Sequence, residues 1–186
     1  SDRAVPATGR PRLAMPVART LAALKALNVK AASLANNHAL DLGPAAREAT
    51  RALLERAGIP AVLPGQTRDL GPVHLSALTD CDNSPTPRVH LLSVADLDRL
   101  PAPPPGKPWV AFLHWGAEWS RTPTPRARDL ARRLHARGVN LVIGAHPHTA
   151  GGLESGPGGA LAYSLGNFLF DQRDPRAAGA LLELRF

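Results

Sequence analysis

Apolar runs of strand length alternate along this chain with stretches of helical periodicity. Val17, Leu21, Leu24 and Leu27 recur at three- and four-residue spacing behind Pro16, which predicts a helix over residues 16–27. Residues 29–34 read as a short strand. Pro44 opens a second predicted helix that runs to Ala57 and closes at Gly58. A brief strand follows at 61–63, and further strands are expected at 73–78 and 89–94, on either side of a turn-rich loop at 80–87. The proline-rich stretch 101–108 reads as a surface connector. Residues 109–113 form a strongly apolar strand. Residues 126–137 predict an amphipathic helix, with Leu130 and Leu134 on one face and arginines on the other, ended by Gly138. Residues 139–143 read as a buried strand, and Gly144 as the break that ends it. Strands at 160–165 and 181–186 complete the set, while residues 1–12 lack periodicity and read as a loop. Alternating helices and strands predict an α/β fold, with 29–34, 110–113 and 139–143 as neighbouring buried strands. Phe168 and Phe170, two apart, are expected to face one side and pack in the core.

Composition narrows this picture. The 186 residues make one ordinary domain with enough chain to bury a core, and with 4% aromatics aliphatic side chains must fill it. A formal charge of +7 favours polyanions in general without choosing among them. Cys81 is the only cysteine, which excludes an intrachain disulfide and a thiolate zinc cluster. No apolar run is long enough to span a bilayer, and no signal peptide opens the chain.

Three polar motifs share one design, each following an apolar strand: Asn36-Asn37-His38, His114-Trp115-Gly116 and His146-Pro147-His148. Pro147 disfavours helix at His146, so the segment is expected to stay extended and present both imidazoles to one side. Strand ends of one sheet converge on one edge, so the three motifs are expected to meet in one pocket. An amide oxygen with several imidazoles suits a borderline divalent ion, and a histidine left over is placed to serve as a general acid. Taken singly, each motif also has a plain reading, and His146-Pro147-His148 fits a structural turn that happens to contain histidines. Asn36 and Asn37 fit an Asx turn, His114 a core histidine, and Glu118 a solvated loop charge.

Four blocks, in order, carry a resemblance: residues 33–43 (Ser-Leu-Ala-Asn-Asn-His-Ala-Leu-Asp-Leu-Gly), 114–118 (His-Trp-Gly-Ala-Glu), 144–148 (Gly-Ala-His-Pro-His) and 163–168 (Tyr-Ser-Leu-Gly-Asn-Phe). They resemble the CapA family of capsule or poly-γ-glutamate synthesis proteins, which is similar to calcineurin-like metallophosphoesterases. The resemblance implies a four-layered α/β/β/α sandwich lacking its first strands, as one domain over 1–186 that is incomplete at its N-terminus. It implies Asn37, His114, His146 and His148 as ligands of a divalent metal (manganese, iron or zinc), His38 as the catalytic acid, and Asn36 and Glu118 as supporting residues. The Gly-Asp and Asn-Leu-Glu motifs that supply carboxylates in the family are absent, so a dinuclear centre is expected only if upstream sequence supplies them. Asn140 stands where the family usually has Asp, outside the ligand set.

The implied function is surface-polymer synthesis with a metal-dependent phosphoesterase-type hydrolase site, weak or inactive in this chain alone. The alternative is a non-catalytic component of capsule assembly or export that binds an anionic polymer. Implied partners are an anionic polymer or a phosphoester substrate, together with membrane proteins of capsule synthesis, at the cell envelope. One Tyr, four Phe and three Trp, mostly in apolar runs, argue against a nucleic-acid platform. Ser164 lacks the Gly-x-Ser-x-Gly elbow of a serine hydrolase.

Overall fold

The structure, a computed structural model, describes residues 13–81, 93–168 and 179–185. Its elements in order are α1 (Val17–Ala26), β1 (Ala32–Ser33), α2 (Pro44–Arg56), β2 (Ala61–Val62), β3 (Gln66–Asp69), β4 (His74–Thr79), α3 (Val94–Arg99), β5 (Trp109–His114), α4 (Pro125–Ala136), β6 (Leu141–Ala145), β7 (Leu153–Gly156) and β8 (Gly159–Ala162). The fold is α/β with a mixed sheet. Six strands pair in the order β3-β4-β5-β6-β8-β7. The central four run parallel, and each edge strand is antiparallel to its neighbour. β1 and β2 form a separate parallel pair.

Helix ends follow local chemistry. Thr124 caps α4 by accepting the Ala127 N–H through its hydroxyl, with Pro125 opening the first turn. Ser93 and Asp96 close a capping box on α3. Asn140 pins the start of β5: its Oδ1 accepts the Trp109 N–H at 2.8 Å, and its own N–H returns a bond to the Trp109 carbonyl.

Three apolar clusters stack these elements. Trp109, Ala111 and Leu113 of β5 join Leu78, Val142, Leu161 and Tyr163 against Leu97 of α3 and Ala127, Leu130, Ala131 and Leu134 of α4. On the other face of the large sheet, Ala77 meets Ala35 and Val62, with Leu75 packed alongside. Beyond the small sheet, Leu54, Ile59 and Ala61 pack with Leu21 and Leu24 of α1. Strand alternation therefore turns Val110, Phe112 and His114 toward the small sheet, away from α4.

Several expectations change. Residues 29–34 contribute only the two residues of β1, which pair with β2 rather than with β5 and β6. Val29, Ala32 and Leu34 are needed against Leu54, Ile59 and Ala61 instead. Gly144 does not end its strand: it lies within β6, paired with Leu113. The expected strand at 89–94 is not found where it is described, since Val94 begins α3; its residues 89–92 lie outside the described residues, as do residues 1–12, most of the 80–87 loop and Phe170. Residues 181–185 pair with no strand, and Leu181 is 82% exposed. Phe168 is exposed rather than core, because it lies beyond the last pairing of that segment, the bridge between Ala150 and Leu165.

Candidate functional site

The C-terminal ends of β4, β5 and β6 and the loop after β1 open onto one region. In that loop Asn36 makes an Asx turn, its Oδ1 accepting the His38 N–H at 2.9 Å. The turn places Asn37, which is buried, toward the large sheet. Asn37 Oδ1 accepts a hydrogen bond from His114 Nε2 at 2.9 Å, across 77 residues of sequence. Because an amide oxygen only accepts, His114 carries its proton on Nε2, and Nδ1 keeps its lone pair.

The remaining histidines gather around this bond. The rings of His114 and His146 are 4.7 Å apart, and those of His146 and His148 are 6.3 Å apart. Burial pushes His114 down to about 3, helped by the neighbouring His146, so its imidazole is neutral at ordinary pH. His146 is lowered too, chiefly by burial and against the pull of the exposed Glu118 carboxylate.

His146 and His148 are not extended. Their φ angles are +105° and +61°, and Trp119, which stacks on His148 at 5.3 Å, has φ +64°. Only one other non-glycine residue among those described, Asn28, has a positive φ. Left-handed backbone is strained for side-chain-bearing residues and persists where surrounding contacts hold it. Here the Trp119 N–H donates to the Pro147 carbonyl at 2.8 Å, and the Trp115 N–H to that of Ala145. Proline at 147 thus brings the two imidazoles together through a bent loop rather than through strand alternation.

Three partners were not assigned roles from sequence. Asn167 Oδ1 accepts from His148 Nδ1 at 2.8 Å, which leaves Nε2 as the lone-pair nitrogen. Asp41 Oδ2 lies 2.7 Å from His38 Nδ1 and also accepts the Leu13 N–H. His38 is partly exposed at the rim, as expected, but is held by this carboxylate rather than left unattached. Trp119 supplies the stacking face. The Asp41 spacing, three residues after His38 in a turn, was one legible signal; Asn167 lies 19 residues from His148, and its place in the 163–168 block was the other.

Replacing Asn167 by alanine is expected to release the His148 ring while leaving the fold intact. The check is the histidine side-chain nitrogen NMR spectrum: the His148 tautomer signature should shift toward a mixture, with the His114 signals unmoved. An unchanged His148 signature would show that Trp119 stacking alone orients the ring.

The donor set suits a borderline divalent ion in kind, since burial holds the His114 imidazole neutral and lowers His146 in the same direction. It falls short in number. Asn37 Oδ1 already accepts from His114, and among the described residues no group of three His, Cys, Asp or Glu side chains is placed to hold a metal ion. The described residues therefore do not complete a metal centre, and no chemistry of theirs is routed through one. What they offer is a cluster of partly buried imidazoles, with His114 and His148 each held by an amide oxygen and His38 held by a carboxylate.

Over 63 residues the chain is 43% identical to the PGA biosynthesis protein CapA of Bacillus subtilis (strain 168). Over the same length it is 40% identical to the capsule biosynthesis protein CapA of Bacillus anthracis. The matched stretch is 34% of this chain but only 17% and 15% of those two proteins, so the chain aligns with a small fraction of either. The family of the bacterial capsule synthesis protein PGA_cap matches residues 1–84 and 95–172, a span that takes in Asn37, His38, His114, His146, His148 and Asn167. With most of the chain matched and these residues meeting at one sheet edge, the chain belongs to the bacterial capsule synthesis protein PGA_cap family.

Proposed function

We propose that this chain belongs to a capsule or poly-γ-glutamate synthesis protein and carries one half of a metallophosphoesterase-like site. The observation that carries this reading is the Asn37–His114 hydrogen bond between the two sheets, with His146 and His148 gathered beside it. The layering supports it: α1 and α2, the small sheet, the large sheet, then α3 and α4 follow the order of an α/β/β/α sandwich. The names of the Bacillus relatives support capsule synthesis and work at the cell envelope. Among the described residues no helix is long and apolar enough to cross a membrane.

In this reading Asn37, His114, His146 and His148 serve a divalent cation (manganese, iron or zinc) only when carboxylates from outside the described residues complete the site. Catalytic zinc sites commonly use three protein ligands, and two adjacent cations need carboxylates to offset and bridge their charge. The chain by itself is therefore expected to bind at most one metal weakly and to turn over phosphodiesters no faster than buffer. Metal stoichiometry after dialysis against manganese, and hydrolysis of a chromogenic phosphodiester, read both quantities. Two tightly bound ions with sustained turnover would show that the ligands are misassigned.

A second reading, in which the domain binds an anionic polymer without cleaving it, is favoured by the shortfall of ligands among the described residues together with the formal charge of +7. Retention of poly-γ-glutamate with no metal and no turnover would favour it over the first.

A further inference from the structure

On the face of the large sheet opposite the histidines, a groove of about 390 Å³ runs between α4 and the β7–β8 hairpin. One helix row lines it: Arg128, Arg132 and His135, at i, i+4 and i+7. Helical rise separates the two arginines by about 6 Å along the groove. The other wall is the hairpin, with Glu154 at its edge, Gly158 at the turn and Tyr163 beyond β8. Glycine at 156, 158 and 159 keeps that wall low.

The arginines here are not spent. The Arg128 guanidinium lies over the Tyr163 ring, 5.5 Å from its centre, and is 3.5 Å from Glu154. The same guanidinium hydrogen-bonds the Tyr163 side chain, and these contacts use only part of its five donors. Arg132 is 77% exposed and reaches Asp129 at 3.3 Å, a carboxylate that Arg133 already holds at 2.7 Å. Five donors per guanidinium exceed what these contacts use. His135 donates from Nδ1 to the Val139 carbonyl, so its Nε2 is the nitrogen left for other contacts. By contrast Arg126, on the same helix, is closed by two 2.6 Å bonds to Asp80.

We propose that this groove is a binding track for a polycarboxylate chain, laid along α4 with successive carboxylates on Arg128 and Arg132. The proposal rests on the capsule-polymer reading above for its ligand class. Carboxylates fit the guanidinium fork, and the five rotatable backbone bonds between γ-linked glutamate units let neighbouring carboxylates turn to one side at about the 6 Å arginine spacing. Glu154 in the wall selects against denser charge, because polyphosphate brings its negative charges closer together along the chain than γ-linked glutamate does.

The experiment is titration of the chain with poly-γ-glutamate near physiological salt, with inorganic polyphosphate in parallel. Arg128→Gln with Arg132→Gln is expected to weaken poly-γ-glutamate binding at least about tenfold, two charge-assisted contacts being lost. Arg126→Gln with Arg133→Gln removes the same charge outside the groove and is expected to change it less than about threefold, as rim charges do. Gly158→Leu keeps every charge but fills the space beside His135, where a Cβ already stands 3.8 Å from the His135 Cβ. It too is expected to weaken binding at least about tenfold. Equal losses in the two arginine pairs, no binding by the unaltered chain, or groove-dependent binding of polyphosphate in preference to polycarboxylate would each overturn the proposal. Metal stoichiometry and phosphodiester turnover report on the histidine pocket separately, so failure of the groove leaves that reading to its own test.

Discussion

Gly144→Ala is expected to destabilise the fold by about 3–5 kcal/mol, read as a lower urea midpoint at unchanged slope. A Cβ at this position would lie 2.0 Å from the Tyr163 carbonyl oxygen and 2.3 Å from Trp115 Nε1. Those two atoms are the acceptor and donor of one buried hydrogen bond, 2.9 Å long. Neither side can yield easily. Gly144 is paired with Leu113 and accepts the Leu165 N–H, while Trp115 is 1% exposed. The methyl must therefore push neighbouring strands apart or expel the indole. Overpacking costs about 1–3 kcal/mol, and an orphaned buried N–H about as much again. Adding Trp115→Phe removes the displaced N–H but not the clash with the Tyr163 carbonyl, so only partial recovery is expected. A change within about 0.5 kcal/mol would show that β6 and the Tyr163 segment are not locked together as described. Because His146 and His148 follow directly, the candidate site should loosen with the sheet.

Acidification is expected to destabilise the chain through its buried histidines. Unfolded, the His114 imidazole takes up a proton as pH falls through its ordinary 6.5; folded, it resists until about 3. Its contribution to stability is therefore complete above 6.5 and is lost progressively as pH falls toward about 3. His146, also lowered by burial, acts in the same direction. His114→Gln keeps a donor for Asn37 and removes the titration. Between about pH 7.5 and pH 4.5 the unaltered chain should lose about 2 kcal/mol more than this variant. Equal losses would show that His114 takes up its proton without leaving its place beside Asn37.

Much of this was legible from one chain. The helices at α1 and α4 announced themselves by three- and four-residue apolar spacing, α2 by Pro44 at its start and Gly58 at its end, and β4, β5, β6 and β8 by apolar runs. The edge strands did not. β3 is Gln-Thr-Arg-Asp and β7 is wholly exposed; backbone pairing to β4 and β8 holds them, and their side chains carry no burial pattern to read. The strand expected at 29–34 failed for the opposite reason. Its apolar residues are consumed by packing against α1 and α2, and only two residues pair.

The site divides in the same way. Residue types and their position after apolar strands were enough to single out Asn37, His114, His146 and His148; parallel β5 and β6 deliver the histidines to one edge, and the small sheet packed on that face delivers Asn37. The sequence by itself thus determined which groups meet. Only the tertiary structure decided how they meet. The left-handed backbone at His146 and His148, the Asn167 and Trp119 contacts that aim the His148 ring, and the Asp41 bond that holds His38 were not visible as apolar pattern. Nor was the room for Trp115 that Gly144 leaves by having no side chain. Periodicity in a sequence records burial, and burial sorts elements into layers. Hydrogen-bond direction and backbone strain depend on atoms that packing brings within a few ångströms, often from distant stretches of the chain, and no local pattern encodes those distances.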